Sequence, residues 1–208
     1  MTIEARRRPV WRTYDAQWAL NAAAHVRAGG HAVMRARGGP WWMVLPCDDD
    51  GMLPELSAWA LLDLGVAEFS VVASGPFEGR VSATLTPRQR RIVEAWCDRD
   101  ATLGESTVEV ALDCMACAMC CRHNRVELEE PDDLDRWTAA GRDDLAGSAF
   151  VRRRGGKRYL RLAPSGDCVH LVGNACGVYA LRPNNCRAFP MGSEGCLSAR
   201  AEAGLDPA

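Results

Sequence analysis

Cys114-Met-Ala-Cys117-Ala-Met-Cys120-Cys121 is a CxxCxxCC run that packs four thiols into eight residues. Four more follow at wide spacing, Cys168, Cys176, Cys186 and Cys196, so eight of the ten cysteines lie in the C-terminal half. Thiols this dense point to metal ligation. A disulfide framework would need an oxidising compartment. No secretion signal is legible, because the basic stretch Met1-Thr-Ile-Glu-Ala-Arg-Arg-Arg-Pro9 has no apolar run behind it. The cytoplasm is the expected location.

Read as a helix at about 100° per residue, the run places Cys114, Cys117, Cys121 and Cys120 at roughly 0°, 300°, 340° and 240°. All four would project into one sector. Adjacent cysteines do not easily reach one ion, so Cys120 and Cys121 more naturally feed two centres, or one ligates while the other packs or reacts. Eight thiols divide into two four-thiolate sites, each mixing the run with the later set. They equally suit one four-iron cluster plus a second site. All-thiolate ligation fits zinc or iron–sulfur centres and argues against magnesium or calcium. His123 and His170 are close enough in sequence to supply nitrogen, although surface or supporting positions suit them as well. Arg122, Arg125, Arg182 and Arg187 flank the cysteines and either offset thiolate repulsion or stand exposed. Cys47 and Cys97 lie apart and read as core residues.

The metal is expected to be structural. A structural zinc site is worth roughly 10–16 kcal/mol in small peptides, against a net domain stability of about 5–15 kcal/mol. Residues 164–196 are rich in Gly, Pro, Asn and Cys, lack periodicity and should fold around metal.

The rest of the chain is of ordinary globular composition, 48% hydrophobic and 25% charged. No apolar run is long enough to cross a bilayer. The net charge of −2 gives no global case for nucleic acid or anionic lipid as a partner. The fold class is α+β: a small N-terminal α/β region over 1–105, a loop-rich cysteine-cluster domain over 106–198, and a frayed tail over 199–208. In the first region, Asp15 is placed to cap a helix over 16–28 that Gly29-Gly30 ends. Trp41–Leu45 reads as a strand and 54–64 as a helix stopped by Gly65. Strands over 68–72 and 80–85 flank a turn at Ser74-Gly-Pro76, and Thr86-Pro87 starts a helix to about Asp98. A strand over 107–112 leads into the cysteine run. Beyond it, 125–128 reads as a strand, Pro131 starts a helix carrying Leu134 and Trp137, and Gly155-Gly156 turns a hairpin.

The ordered set Cys114-Met-Ala-Cys-Ala-Met-Cys-Cys121, Cys168-Val-His-Leu171, Cys176-Gly-Val-Tyr179, Arg182-Pro183, Cys186-Arg187 and Phe189-Pro190 resembles the YkgJ-type cysteine-cluster family, over roughly 112–196. That family is described as zinc- or iron-chelating. The resemblance implies Cys114, Cys117, Cys120, Cys121, Cys168, Cys176 and Cys186 as metal ligands, with Cys196 an eighth. It implies that Tyr179, Arg182 and Arg187 brace the site and that Pro183 and Pro190 stiffen the chain around Cys186. Ala118 stands where the family usually has glycine, which predicts a tighter or more helical turn. Val169-His170 also departs from the family pattern.

Three functions are compatible with these residues. The first is a metal-binding protein in which zinc or an iron–sulfur centre builds the fold and the N-terminal region recognises a protein partner. The second is an iron–sulfur oxidoreductase or electron carrier. The third is a metal-dependent modifying enzyme. No dinucleotide-binding glycine fingerprint, phosphate-binding loop or HExxH is present. Trp41-Trp42 either lines a binding surface or, more simply, packs in the core.

Overall fold

Alternation along two buried strands organises the N-terminal region. The structure, a computed structural model, describes residues 6–9, 11–14, 18–35, 39–101, 103–110 and 112–205. Strand β3 (His31–Arg35) sends Ala32 and Met34 to one face and Val33 to the other. Strand β4 (Trp41–Leu45) likewise splits Val44 from Met43 and Leu45. Successive strand residues point to opposite faces, so a strand apolar at every position must be covered on both.

The covering helices are α1 (Ala19–Arg27) on one face, and α2 (Glu55–Leu64) and α3 (Pro87–Arg99) on the other. The sheet has the order β2-β3-β4-β6-β5, with β2 (Trp11–Tyr14) parallel to β3 and the other pairs antiparallel through β6 (Val81–Leu85) and β5 (Ser70–Val71).

Local chemistry sets the helix ends. Thr86 accepts from the Gln89 backbone N–H while the Gln89 side chain accepts from Thr86 N, a reciprocal cap with Pro87 in the first turn. Gly65 ends α2 in the left-handed region at φ 65°. The expected cap at Asp15 lies outside the described residues. Trp41 and Trp42 pack rather than open a surface: the Arg90 guanidinium sits 4.7 Å from the Trp41 ring, and Trp42 meets Phe77 edge-on at 5.7 Å.

Strand β7 (Thr107–Val110) pairs with β1 (Arg6–Pro9) and leads to the cysteine run. The run is not one helix. It breaks at Ala118 into α4 (Cys114–Cys117) and α5 (Met119–His123), and Ala118 takes φ +55°. The single angular sector expected for a continuous helix is therefore corrected, as is the expectation of a more helical turn. A left-handed residue costs roughly 1–2 kcal/mol when it carries a Cβ. Asp113 starts α4, its carboxylate accepting from the N–H groups of Met115 and Ala116.

The C-terminal core gathers Leu128, Trp137, Leu145, Val151 and Leu160. Its organiser is α6 (Asp132–Ala139). Trp137 Nε1 donates to Leu181 O at 2.7 Å, and the buried Asp133 carboxylate accepts from Glu129 N and Asn184 N. Arg136 adds bonds to Asn184 and to Arg182 O. These ties hold the start of α7 (Asn184–Ala188), which carries Cys186. Strands β8 (Val151–Arg154) and β9 (Lys157–Leu160) form the expected hairpin, while 125–128 contributes only a bridge from Glu127 to Tyr159.

The expected frayed tail is helical as far as Glu202. Helix α8 (Glu194–Glu202) packs on α2 and α3, with Leu197 fully buried. Arg99 bridges Asp100 and Glu194, both carboxylates buried, at 2.9 and 2.5 Å. Gly195 N donates to Asp63 Oδ2 at 2.8 Å, and Trp96 Nε1 donates to Ser198 Oγ at 3.1 Å. The two regions thus share one packed helix. Among the described residues, no helix is long and apolar enough to cross a membrane.

Arg99→Met should strand two buried carboxylates and lower stability by about 3–5 kcal/mol in chemical denaturation. Ala118→Val should cost about 2–3 kcal/mol, because a β-branched residue strongly resists the left-handed region. Ala118→Gly should stay within about 1 kcal/mol of the parent, since relieved strain offsets the lost methyl and the looser unfolded chain.

Candidate metal centre

Five separate pieces of chain deliver the thiols. Helices α4 and α5 carry Cys114, Cys117, Cys120 and Cys121. The loop after β9 carries Cys168, joined to the run by its N–H, which donates to Cys121 O at 2.7 Å. The short strand β11 (Ala175–Cys176) pairs with β10 (Leu171–Val172), setting Cys176 opposite Leu171. Asn174 anchors this hairpin to α4 by donating to Ala116 O at 2.9 Å. Cys186 rides on α7, and Cys196 on α8.

All eight thiols line one cavity of about 480 Å³. Every residue of the sequence-derived ligand set therefore reaches the same space. Cys47 and Cys97 do not; they pack against the N-terminal core, Cys97 buried and Cys47 partly so. His123 is exposed and does not line the cavity, whereas His170 does, its ring stacked on Phe150 at 4.8 Å.

Within the cavity the electrostatic neighbours of the sulfurs fall largely into two groups, with Cys114 touching on both. Helix α5 packs against α8, and Cys120 and Cys196 hydrogen-bond to one another. Cys114 is pushed upward by burial, then by Cys196 and Cys117. Cys120 rises through its bond to Cys196, through burial and through Cys114, with Cys121 the weakest contributor. Its proton, shared toward Cys196, draws Cys196 below the ordinary thiol range. That gives Cys114, Cys117, Cys120 and Cys196.

Cys121 belongs with the others. It is pushed up to about 11 by burial, then by Cys168 and Cys176, with Cys114 behind them. Cys186 goes to about 12 by burial and then by Cys121, Cys168 and Cys176. Cys168 rises through burial and Cys176. The hydrophobic clusters divide the same way: Cys168 and Cys186 pack beside the Trp137 core, and Cys196 packs with Leu112, Phe189 and Met191.

The donor set suits a thiophilic cation. Partly buried sulfurs that oppose one another's ionisation are stabilised as thiolates when a cation neutralises them. Among the described residues, no group of three or more cysteine, histidine or carboxylate side chains is arranged to hold an ion as it stands. Ligation would require these sulfurs to draw closer together.

The arginines take different roles, one of them beyond the two expected. Arg182 lies near enough to the thiols to favour ionisation of Cys114, Cys121 and Cys186, and it stacks on Tyr179 at 3.8 Å. Arg187 instead ties the loop by donating to Arg182 O and Ala180 O, and Arg122 ties Asp167, Gly173 O and Asn174.

Sequence reasoning missed Trp59 and Glu55, which reach the cavity from the N-terminal helix α2, and Arg200 on α8. Trp59 meets Phe189 edge-on at 5.8 Å, an interaction that joins residues 130 positions apart. Nothing local in the sequence marks that pairing. The Asp113 cap was missed too, although an acid immediately before the run is a signal that could have found it.

Comparison with known proteins gives one match. Residues 113–203 match the CxxCxxCC family, described as "Putative zinc- or iron-chelating domain". No curated protein and no solved structure matches the chain. The matched segment starts at the cap of α4, ends just past α8 and contains all eight cavity thiols, so the similarity to this family covers the whole thiol-lined cavity's ligand set.

Proposed function

We propose that this protein binds metal through two four-thiolate sets and that the metal serves mainly to build the C-terminal fold. One set is Cys114, Cys117, Cys120 and Cys196; the other is Cys121, Cys168, Cys176 and Cys186. The observation that carries the reading is the convergence of eight thiols from five separate pieces of chain on one cavity. When bound, zinc would supply cross-linking through tetrahedral thiolate bonds. The protein's own residues do the positioning: Asp133, Arg136 and Trp137 hold the Cys186 loop, Asn174 holds the Cys176 hairpin, and α8 holds Cys196. Such thiols stay available in a reducing compartment, which favours the cytoplasm.

A cavity of about 480 Å³ is more room than a closed zinc shell needs, which favours a second reading. In it the thiols hold an iron–sulfur centre in an oxidoreductase or electron carrier. Nothing in the cavity singles out a substrate, so we assign no reaction.

Protein purified without air should carry about two zinc equivalents, one per four-thiolate set. Cys117→Ser and Cys186→Ser should each remove about one equivalent, and the pair together both. Cys186→Ser with Cys168→Ser should remove no more than one. Brown protein that bleaches on reduction would select iron–sulfur over zinc. Folded protein with neither metal would overturn both readings. Chelation should raise hydrogen exchange throughout residues 164–196 while the N-terminal sheet stays protected.

A further inference from the structure

The hairpin β8–β9 sets positive charges directly against one another. Its register pairs Arg153 with Arg158 and Arg154 with Lys157. Like charges opposite each other destabilise a strand pair. Residues 145–166 hold six basic side chains, Arg152, Arg153, Arg154, Lys157, Arg158 and Arg161, and no acidic one.

Three of the six are compensated. Lys157 pairs with Glu127 at 2.7 Å, Arg158 pairs with Glu130 at 3.4 Å, and Arg161 donates to Ser148 O at 2.7 Å. Among the described residues, the side chains of Arg152, Arg153 and Arg154 have no carboxylate partner and no hydrogen bond. The Nε of Arg152 is buried without an acceptor.

Alternate residues share a face of a strand, so Arg152 and Arg154 stand together with Lys157 and Tyr159. With Arg125 they line a hollow of about 320 Å³. One carboxylate, Glu127, borders this group, held by Lys157 and the Tyr159 hydroxyl. The tip, Gly155-Gly156, has φ +58° and +79° and no side chains to block an approaching chain. Arg125 also lines the cysteine cavity, so the two sites adjoin.

We propose that this hollow binds single-stranded nucleic acid, with phosphates on Arg125, Arg152 and Arg154 and a base against the Tyr159 ring. Three features favour this ligand. Side chains two residues apart on a strand are spaced by about 6.6 Å, comparable to the step between successive phosphates of an extended strand. Guanidinium groups bind phosphate oxygens in pairs. A ring beside a basic groove is the arrangement that holds unpaired bases without sequence preference. An acidic peptide would satisfy the charge but leave the ring unused. A membrane surface is disfavoured because the tip has no apolar side chain to insert. The site rests on the hairpin and Arg125 and does not depend on which metal the cysteines hold.

The test is fluorescence anisotropy with labelled oligo(dT) and oligo(U) of about a dozen nucleotides, on the full-length metal-loaded protein. Three phosphate contacts should give a slope of log affinity against log salt of about −2. Arg152→Gln with Arg154→Gln should weaken binding at least tenfold and bring the slope to about −0.7, with metal content unchanged. Arg88→Gln with Arg91→Gln, both exposed on α3, should change affinity by less than about twofold. Tyr159→Leu should weaken binding several-fold, while Tyr159→Phe retains it. The proposal is overturned by absence of binding at about 50 mM salt, or by equal losses in the α3 variant. Polyglutamate displacing the oligonucleotide as well as unlabelled oligonucleotide does would also overturn it, pointing instead to an acidic protein partner.

Discussion

Eight sulfur atoms meet in one space because five pieces of chain, none with much core of its own, are tied to each other by a few hydrogen bonds. The Cys176 hairpin hangs on Asn174, and the Cys186 helix hangs on Asp133, Arg136 and Trp137 of α6. Cys168 is tied to the run through the Cys121 carbonyl. Burying thiols together pushes their ionisation upward, since each thiolate opposes the next and loses water. A cation reverses that balance, which is why the arrangement makes physical sense as a metal-binding domain and little sense as a core.

The N-terminal region has a role in this arrangement that composition could not show. Helix α8 delivers Cys196, but it is clamped by Asp63, Trp96 and Arg99 from α2 and α3. Trp59 of α2 reaches the cavity itself. One wall of the site is therefore built by the first hundred residues. The boundary between the two regions is a packed interface, and Arg99, which satisfies two buried carboxylates, sits at its centre.

Much of the N-terminal fold was legible because local signals and tertiary packing agree there. Thr86-Pro87 with Gln89 spells a helix start, Gly65 a helix stop, and the apolar run Trp41–Leu45 a buried strand. That the eight C-terminal thiols would converge on one space was legible from their density and order. Ala118 was misread: periodicity is silent about a single left-handed residue, and glycine at the family's equivalent position was the better clue to that geometry. The helical end of the chain was also missed, because α8 is stabilised by α2 and α3 rather than by any strong apolar stripe of its own. The same blindness applies to charge. A net of −2 averages away a hairpin with six basic residues and no acid, and only the strand register reveals that they oppose one another.

The central claim is that sulfur alone surrounds the metal, four to a centre. X-ray absorption at the metal edge of the anaerobically purified protein tests it directly. The account predicts a first shell of about four sulfurs, near 2.3 Å if the metal is zinc, without nitrogen or oxygen. A shell dominated by nitrogen or oxygen would contradict it.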